Sequence, residues 1–218
     1  MRYHCFEKTL GLDIARQLLE IGAVKLQLDN PFTWASGWKS PIYCDNRLSL
    51  SFPEVRNNIK LAFCNLIKNY YSNAEAIAGV ATAGIPQGAL LADALKLPFI
   101  YIRSSSKSHG RTNQIEGAFS EGQKIVVLED LVSTGKSSLA AVDTLRRENI
   151  EGLGMISIFN YGFPIARQNF IDKAVELIYL SEYSLLIDLA LAKGFINTSD
   201  VMTLKNWRKS PENWGKKS

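Results

Sequence analysis

The chain has 218 residues, 46% of them hydrophobic, and a formal net charge of +4. That composition excludes a disordered or collagen-like polypeptide, and no apolar run approaches the roughly 18 residues that a membrane span needs. The positive excess lies wholly after residue 204, where Lys205, Arg208, Lys209, Lys216 and Lys217 face one acid, Glu212; the balanced body gives no electrostatic footprint for nucleic acid or for a membrane surface.

The length suits a single domain, 1–218, able to bury about 70% of its unfolded surface. Cys5, Cys44 and Cys64 are odd in number and lack metal-ligand spacing, which fits reduced thiols in a soluble, cytoplasmic protein. Glu7 and Asp13 interrupt the first apolar residues, so no signal-peptide core is expected.

In chain order, Leu10, Ile14, Leu18 and Ile21 form one stripe and predict an amphipathic helix over 6–21. Short strands are expected at 24–28 and 42–44. Between them, residues 32–41 mix turn formers with Phe32, Trp34 and Trp38, which suits a small covering segment but, from composition alone, better suits a packed loop. Ser51-Phe52-Pro53-Glu54 has the spacing of a capping box, and Val55, Ile59, Phe63 and Ile67 then run down one helix face. A buried strand at 76–81 leads through Thr82-Ala83-Gly84 into a helix ending near 96. Further strands are expected at 98–102, 125–128, 154–159 and 175–180, with helices at 164–173, 182–193 and 199–209. The basic stretch 205–218 is expected to be a solvated tail. Strands alternating with helices indicate an α/β fold, a parallel sheet flanked by helices. The first 50 or so residues contribute a small N-terminal hood.

The stretch 124–138, KIVVLEDLVSTGKSS, carries the most chemistry. Ile125-Val126-Val127-Leu128 reads as a strand buried on both faces. Two carboxylates, Glu129 and Asp130, follow, then Ser133-Thr134-Gly135-Lys136-Ser137 at the start of a helix marked by Leu139, Val142 and Leu145. Free N–H groups and the positive end of the helix dipole make such a turn an anion site. Gly135-Lys136-Ser137 imitates a P-loop, but Asp130 stands where its leading glycine belongs. Carboxylates beside a phosphate cradle suit sugar hydroxyls or hydrated Mg²⁺, so a phosphorylated sugar meets both demands. Ala81 to Gly84 is small enough for close backbone approach to a second anion. Residues 103–113 form a long polar loop holding Arg103, Lys107, His109 and Arg111, the make-up of a flexible lid closing over a polyanion.

Taken together, residues 126–137 resemble the phosphoribosyl-diphosphate (PRPP) motif of the type I phosphoribosyltransferases. The lid and the 79–86 loop match that architecture in order and spacing. Within this group, Tyr101-Ile102-Arg103 leading to Lys107 and His109-Gly110, together with Ser36-Gly37-Trp38-Lys39-Ser40-Pro41 and Gly84-Ile85-Pro86, are similar to orotate phosphoribosyltransferases. The resemblance implies transfer of the phosphoribosyl group from PRPP to orotate in pyrimidine biosynthesis, with Mg²⁺ brought mainly by PRPP rather than by assigned metal ligands. It further implies PRPP binding by Arg103, Lys107, His109, Glu129, Asp130, Leu131, Val132, Ser133, Thr134, Gly135, Lys136 and Ser137. Glu129 and Asp130 would face the ribose, residues 81–84 would lend backbone to the diphosphate, and Ser133 would also lie near orotate. Lys107, Asp130 and His109 are the implied catalytic residues, in a homodimer whose lid reaches the partner's site.

Lysines frequent in the family are replaced by Ala35, Ala83 and Ser104, and an arginine near orotate by Tyr161. Lys39 or backbone N–H groups near Ser36-Gly37 are then left to hold the orotate carboxylate. A PRPP-binding regulator of the same fold, and a transferase for another base, are the alternatives. The lid cations speak against the first and the hood against the second.

Overall fold

The computed structural model describes residues 1–104 and 114–214. The chain opens with strand β1 (Tyr3–Cys5), helix α1 (Lys8–Glu20) and strand β2 (Val24–Leu26). Two very short strands, β3 (Phe32–Thr33) and β4 (Lys39–Ser40), precede β5 (Ile42–Cys44) and a 3₁₀ turn, Asn46–Ser51. There follow α2 (Pro53–Tyr70), β6 (Ala76–Val80), α3 (Gly84–Leu95), β7 (Phe99–Ile102) and β8 (Ile115–Glu116). The remainder is β9 (Lys124–Val132), α4 (Lys136–Arg147), β10 (Glu151–Asn160), α5 (Pro164–Asp172), β11 (Leu177–Glu182), α6 (Tyr183–Ala192) and α7 (Thr198–Lys209).

Seven strands form the main sheet, in the order β1-β11-β10-β9-β6-β7-β8. All neighbours are parallel except β7 and β8. The apolar run Ile125 to Leu128 is completely buried, as a central strand covered on both faces requires. From β6 the chain steps to β7 on one side, and from β9 it steps to β10 on the other. Right-handed crossovers in opposite directions put α3 and α4 on opposite faces of the sheet. The topological switch therefore falls between β6 and β9, which pair from Ala76↔Ile125 to Gly79↔Leu128. Ligands of open α/β sheets bind at the carboxyl ends of such a strand pair.

The hood consists of two small antiparallel pairs, β2 with β5 and β3 with β4. An aromatic cluster joins it to the sheet and to the end of the chain. Trp34 lies 5.0 Å from Tyr161, Tyr161 stacks on Phe163 at 5.4 Å, and Trp207 of α7 meets Phe163 at 5.3 Å.

Three expectations change. Ser51 is the last residue of the 3₁₀ turn, and Phe52 caps α2 without a side-chain hydrogen bond. The capping box therefore does not form, because Pro53 at the first helical position sets the start instead. The basic stretch from Lys205 is not a solvated tail throughout: the helix expected at 199–209 does run to Lys209, and it buries Trp207 fully within that stretch. Its helix starts with a genuine capping box between Asn197 and Asp200. Finally, β8 makes one edge antiparallel, and the N-terminus supplies an additional parallel edge strand, β1, on β11. Among the described residues no helix is long and apolar enough to cross a membrane.

Candidate active site

At the switch point, a cleft of about 380 Å³ is lined by Cys44, Arg47, residues 81–83, Glu129, Asp130 and Ser133, among others. Strand β9 runs on past its apolar run, so both acids belong to the strand and project from its carboxyl end. Glu129 is only 6% exposed. Its carboxyl accepts hydrogen bonds from the Ser138 hydroxyl at 3.0 Å and from the Asp130 backbone N–H at 3.1 Å. Burial first, and the adjacent Asp130 charge second, hold the Glu129 carboxyl well above the usual range. Glu129 is thus the more buried of the two acids, with Asp130 the more accessible. Burial raises Asp130 too, but its hydrogen bond with Glu129, the Leu131 backbone N–H and the Arg47 charge oppose this.

The turn beyond β9 is built around Gly135, whose φ of +77° favours glycine. A Cβ there would lie 2.7 Å from the Phe170 ring, so packing and backbone conformation make the same demand. Asn169 donates to the Thr134 carbonyl at 2.9 Å and fixes the turn from α5. Lys136 and Ser137 are exposed at the start of α4, where unpaired N–H groups and the helix dipole favour an anion. Val132 is buried and its carbonyl accepts from the Tyr161 N–H at 3.0 Å; Leu131 is half-buried on the cleft wall.

Across the switch, α3 begins hard against the strands. A Cβ on Gly84 would approach the Leu128 carbonyl oxygen to 2.6 Å. The small residues after β6 thus serve close helix–strand packing while leaving the 81–83 backbone on the cleft; the Ala81–Thr82 peptide is cis.

Arg103 does not line this cleft. It faces an adjoining cavity of about 410 Å³, together with Ser104, Gln114 and Lys136; that cavity shares Val80, Ala81 and Ser137 with the cleft. Its guanidinium pairs with Glu116 at 3.5 Å, and its backbone N–H donates to the Gln114 carbonyl at 2.8 Å. Lys107 and His109 lie outside the described residues. Tyr161 is buried in the aromatic cluster, where its oxygen accepts from the Cys44 backbone N–H and burial raises its pKa. It anchors the hood rather than presenting a cation. Lys39 donates to the Thr33 hydroxyl at 2.8 Å across the β3–β4 pair.

Sequence reasoning missed Asn46 and Arg47. Asn46 is buried and donates to the Asp130 carbonyl at 2.8 Å, docking the 3₁₀ turn on the motif strand. The only local signal was a polar triplet, Asp45-Asn46-Arg47, directly after an apolar strand. Among the described residues no group of three or more His, Cys, Asp or Glu side chains gathers to hold a metal alone. Asp130 does line the cleft, and a single carboxylate fits a Mg²⁺ whose other ligands are substrate oxygens and water.

The profile of the phosphoribosyl transferase domain matches residues 51–178, leaving the hood and the C-terminal helices outside it. Whole-chain relatives extend to those parts. An orotate phosphoribosyltransferase of Porphyromonas gingivalis is 53% identical over 208 residues, 95% of this chain and 99% of that protein. One of Cytophaga hutchinsonii is 54% identical over 204 residues, 94% of this chain and 98% of that protein. The crystal structure of orotate phosphoribosyltransferase from Aeropyrum pernix superposes with a TM-score of 0.73 at 26% identity, over 84% of this chain and 99% of that one. Identity of this order along nearly the full length of both chains, hood and C-terminal helices included, places the chain in the orotate phosphoribosyltransferase branch of the phosphoribosyltransferase family.

Proposed function

We propose that this protein transfers the 5-phosphoribosyl group of PRPP to orotate, giving orotidine 5′-monophosphate and diphosphate in pyrimidine (UMP) biosynthesis. The observation that carries the reading is the meeting, at one topological switch, of the 133–137 anion turn, the acids of β9 and the 81–83 backbone, beside the hood. The relatives over 50% identical named above support the choice of orotate as the base.

In this reading the N-terminus of α4 and residues 133–137 hold the 5′-phosphate. Asp130, with Glu129 beside it, takes the ribose hydroxyls. Ser133 lies between the sugar phosphate and orotate, and the 81–83 backbone lies along the diphosphate. Mg²⁺, brought by PRPP, supplies charge neutralisation on the diphosphate. As the C1–O bond breaks, its electron pair leaves with diphosphate; N1 of orotate bonds to C1 and gives up its proton, which the departing diphosphate takes up. The ribose passes through an oxocarbenium-like state, so no protein nucleophile is needed. Catalysis is stabilisation of separating charge in a dry site. Lys107, with Arg103 and His109, supplies lid cations to the leaving group, from the partner subunit of a homodimer.

The test is diphosphate release from PRPP and Mg²⁺ by the purified protein, with orotate and competing bases. Release that depends on orotate supports the reading. Release with a purine alone, or PRPP binding without turnover on any base, overturns it.

A further inference from the structure

The cleft must accept a strongly anionic diphosphate, yet its own described lining carries three acids, Asp45, Glu129 and Asp130. Arg47 is the one cationic side chain among the described residues that line it. At Ala35, Ala83 and Ser104 this chain has no cation to offer. Lys39, the nearest cation of the hood hairpin, already donates to Thr33.

The placement of Arg47 is fixed by three contacts. Asn46 ties the 3₁₀ turn to the Asp130 carbonyl at 2.8 Å. The Asp45 carboxylate caps the turn by accepting from the Arg47 backbone N–H at 3.2 Å. The same carboxylate grips the guanidinium through Nε at 2.6 Å and Nη2 at 2.8 Å. Nη1 makes no hydrogen bond among the described residues, and the side chain is 60% exposed. An arginine clamped along one edge presents its other edge without much further loss of rotamer freedom, and guanidinium geometry matches phosphate oxygens.

We propose that Arg47 is the cation this chain itself contributes to the diphosphate of PRPP, binding it from the floor of the cleft beside residues 81–83, opposite the sugar-phosphate turn. Asp45 is its positioning residue. This inference rests on the transferase reading above, and it adds a diphosphate contact in the same subunit that carries Asp130. The rival is a structural pair in which Arg47 only neutralises Asp45.

Steady-state kinetics on full-length wild-type, Arg47→Ala, Arg47→Gln and Arg47→Lys proteins separates the two. Arg47→Gln removes the charge yet can still donate to Asp45, so it preserves the turn if Arg47→Ala fails to fold. Loss of one charge-assisted contact should raise the PRPP KM and the inhibition constant of product diphosphate about tenfold or more. The orotate KM should change less than twofold by the same reasoning, and Arg47→Lys should recover part of the loss. Unchanged PRPP KM and diphosphate inhibition in a folded Arg47→Gln protein overturn the proposal; so does a rise confined to the orotate KM. If the wild-type protein forms no orotidine 5′-monophosphate, the transferase reading itself falls. Arg47 is then judged by calorimetric titration of magnesium diphosphate into wild-type and Arg47→Gln proteins. Equal affinities overturn its role, and a loss of about tenfold supports it.

Discussion

Glu129 shows how one residue can stabilise a site and weaken the fold that carries it. Buried beneath Asp130, it holds its proton well above its ordinary value of 4.5. A carboxyl whose folded pKa is raised binds more protons native than unfolded. Its contribution is therefore favourable at low pH and is lost as pH climbs from about 4.5 through the folded value. Glu129→Gln keeps an oxygen to accept from Ser138 and from the Asp130 N–H, but cannot ionise. The variant should match wild type in thermal stability near pH 4 and exceed it at neutral pH, each kcal/mol recovered appearing as about 2–4 °C in Tm for a chain this long. Melting curves of the two ligand-free proteins between pH 4 and 8 measure this. Parallel curves, with no divergence as pH rises, would show that the Glu129 proton does not differ between folded and unfolded states.

Among the elements, α7 is the one whose role exceeds its place in the sequence. Trp207 is fully buried and its indole N–H donates to the Lys39 carbonyl of β4, 168 residues away. Tyr183 and Arg208 secure the same helix, through the Leu204 carbonyl at 3.0 Å and the Ser184 hydroxyl at 2.6 Å. The hood is thus held from the far end of the chain. Trp207→Phe keeps an aromatic ring but removes the N–H, at a cost of about 0.5–1.5 kcal/mol for one hydrogen bond. If the hood shapes the base side of the cleft, the orotate KM should rise roughly two- to tenfold while the PRPP KM stays within twofold. A change spread equally over both substrates would assign Trp207 to general stability alone. This tie explains what the sequence did and did not disclose. The β9–turn–α4 unit was legible because its apolar run, acids, glycine and helical stripe are all local. Residues 32–41, with Trp34 and Trp38, suit a covering segment, but composition alone favours a packed loop. Nothing near Trp207 announces Lys39, and β1 is too short, at three residues, to leave a periodic signal. Arg47 escaped for a related reason: a polar triplet after a strand resembles any loop until Asn46 is seen docked on Asp130.

At the scale of the whole molecule, the described residues leave the cleft short of positive charge. Apart from Arg47, the ionisable acidic and basic side chains that line it are Asp45, Glu129 and Asp130, and Arg103 lines an adjoining cavity and pairs with Glu116. A site built for diphosphate departure needs more cations than that, and in the proposed homodimer they come from Lys107 and its neighbours on the partner's lid. Such sharing has a consequence that no single-subunit site reproduces. Lys107→Ala removes the lid cation and Asp130→Asn the ribose-facing acid, so each homodimer should lose most of its activity, by about 10²-fold or more for the lysine if it stabilises charge in the transition state. In a heterodimer of the two variants, one site pairs the intact lid with the intact Asp130, and the other site carries both defects. Random exchange at equal concentrations makes half the dimers mixed, each with one good site in two, so activity should return to about one quarter of wild type. Assays of orotidine 5′-monophosphate formation after mixing, with subunit exchange followed by native mass spectrometry, check the prediction. Mixed dimers present without recovery would place the lid and the acids of each working site in the same subunit.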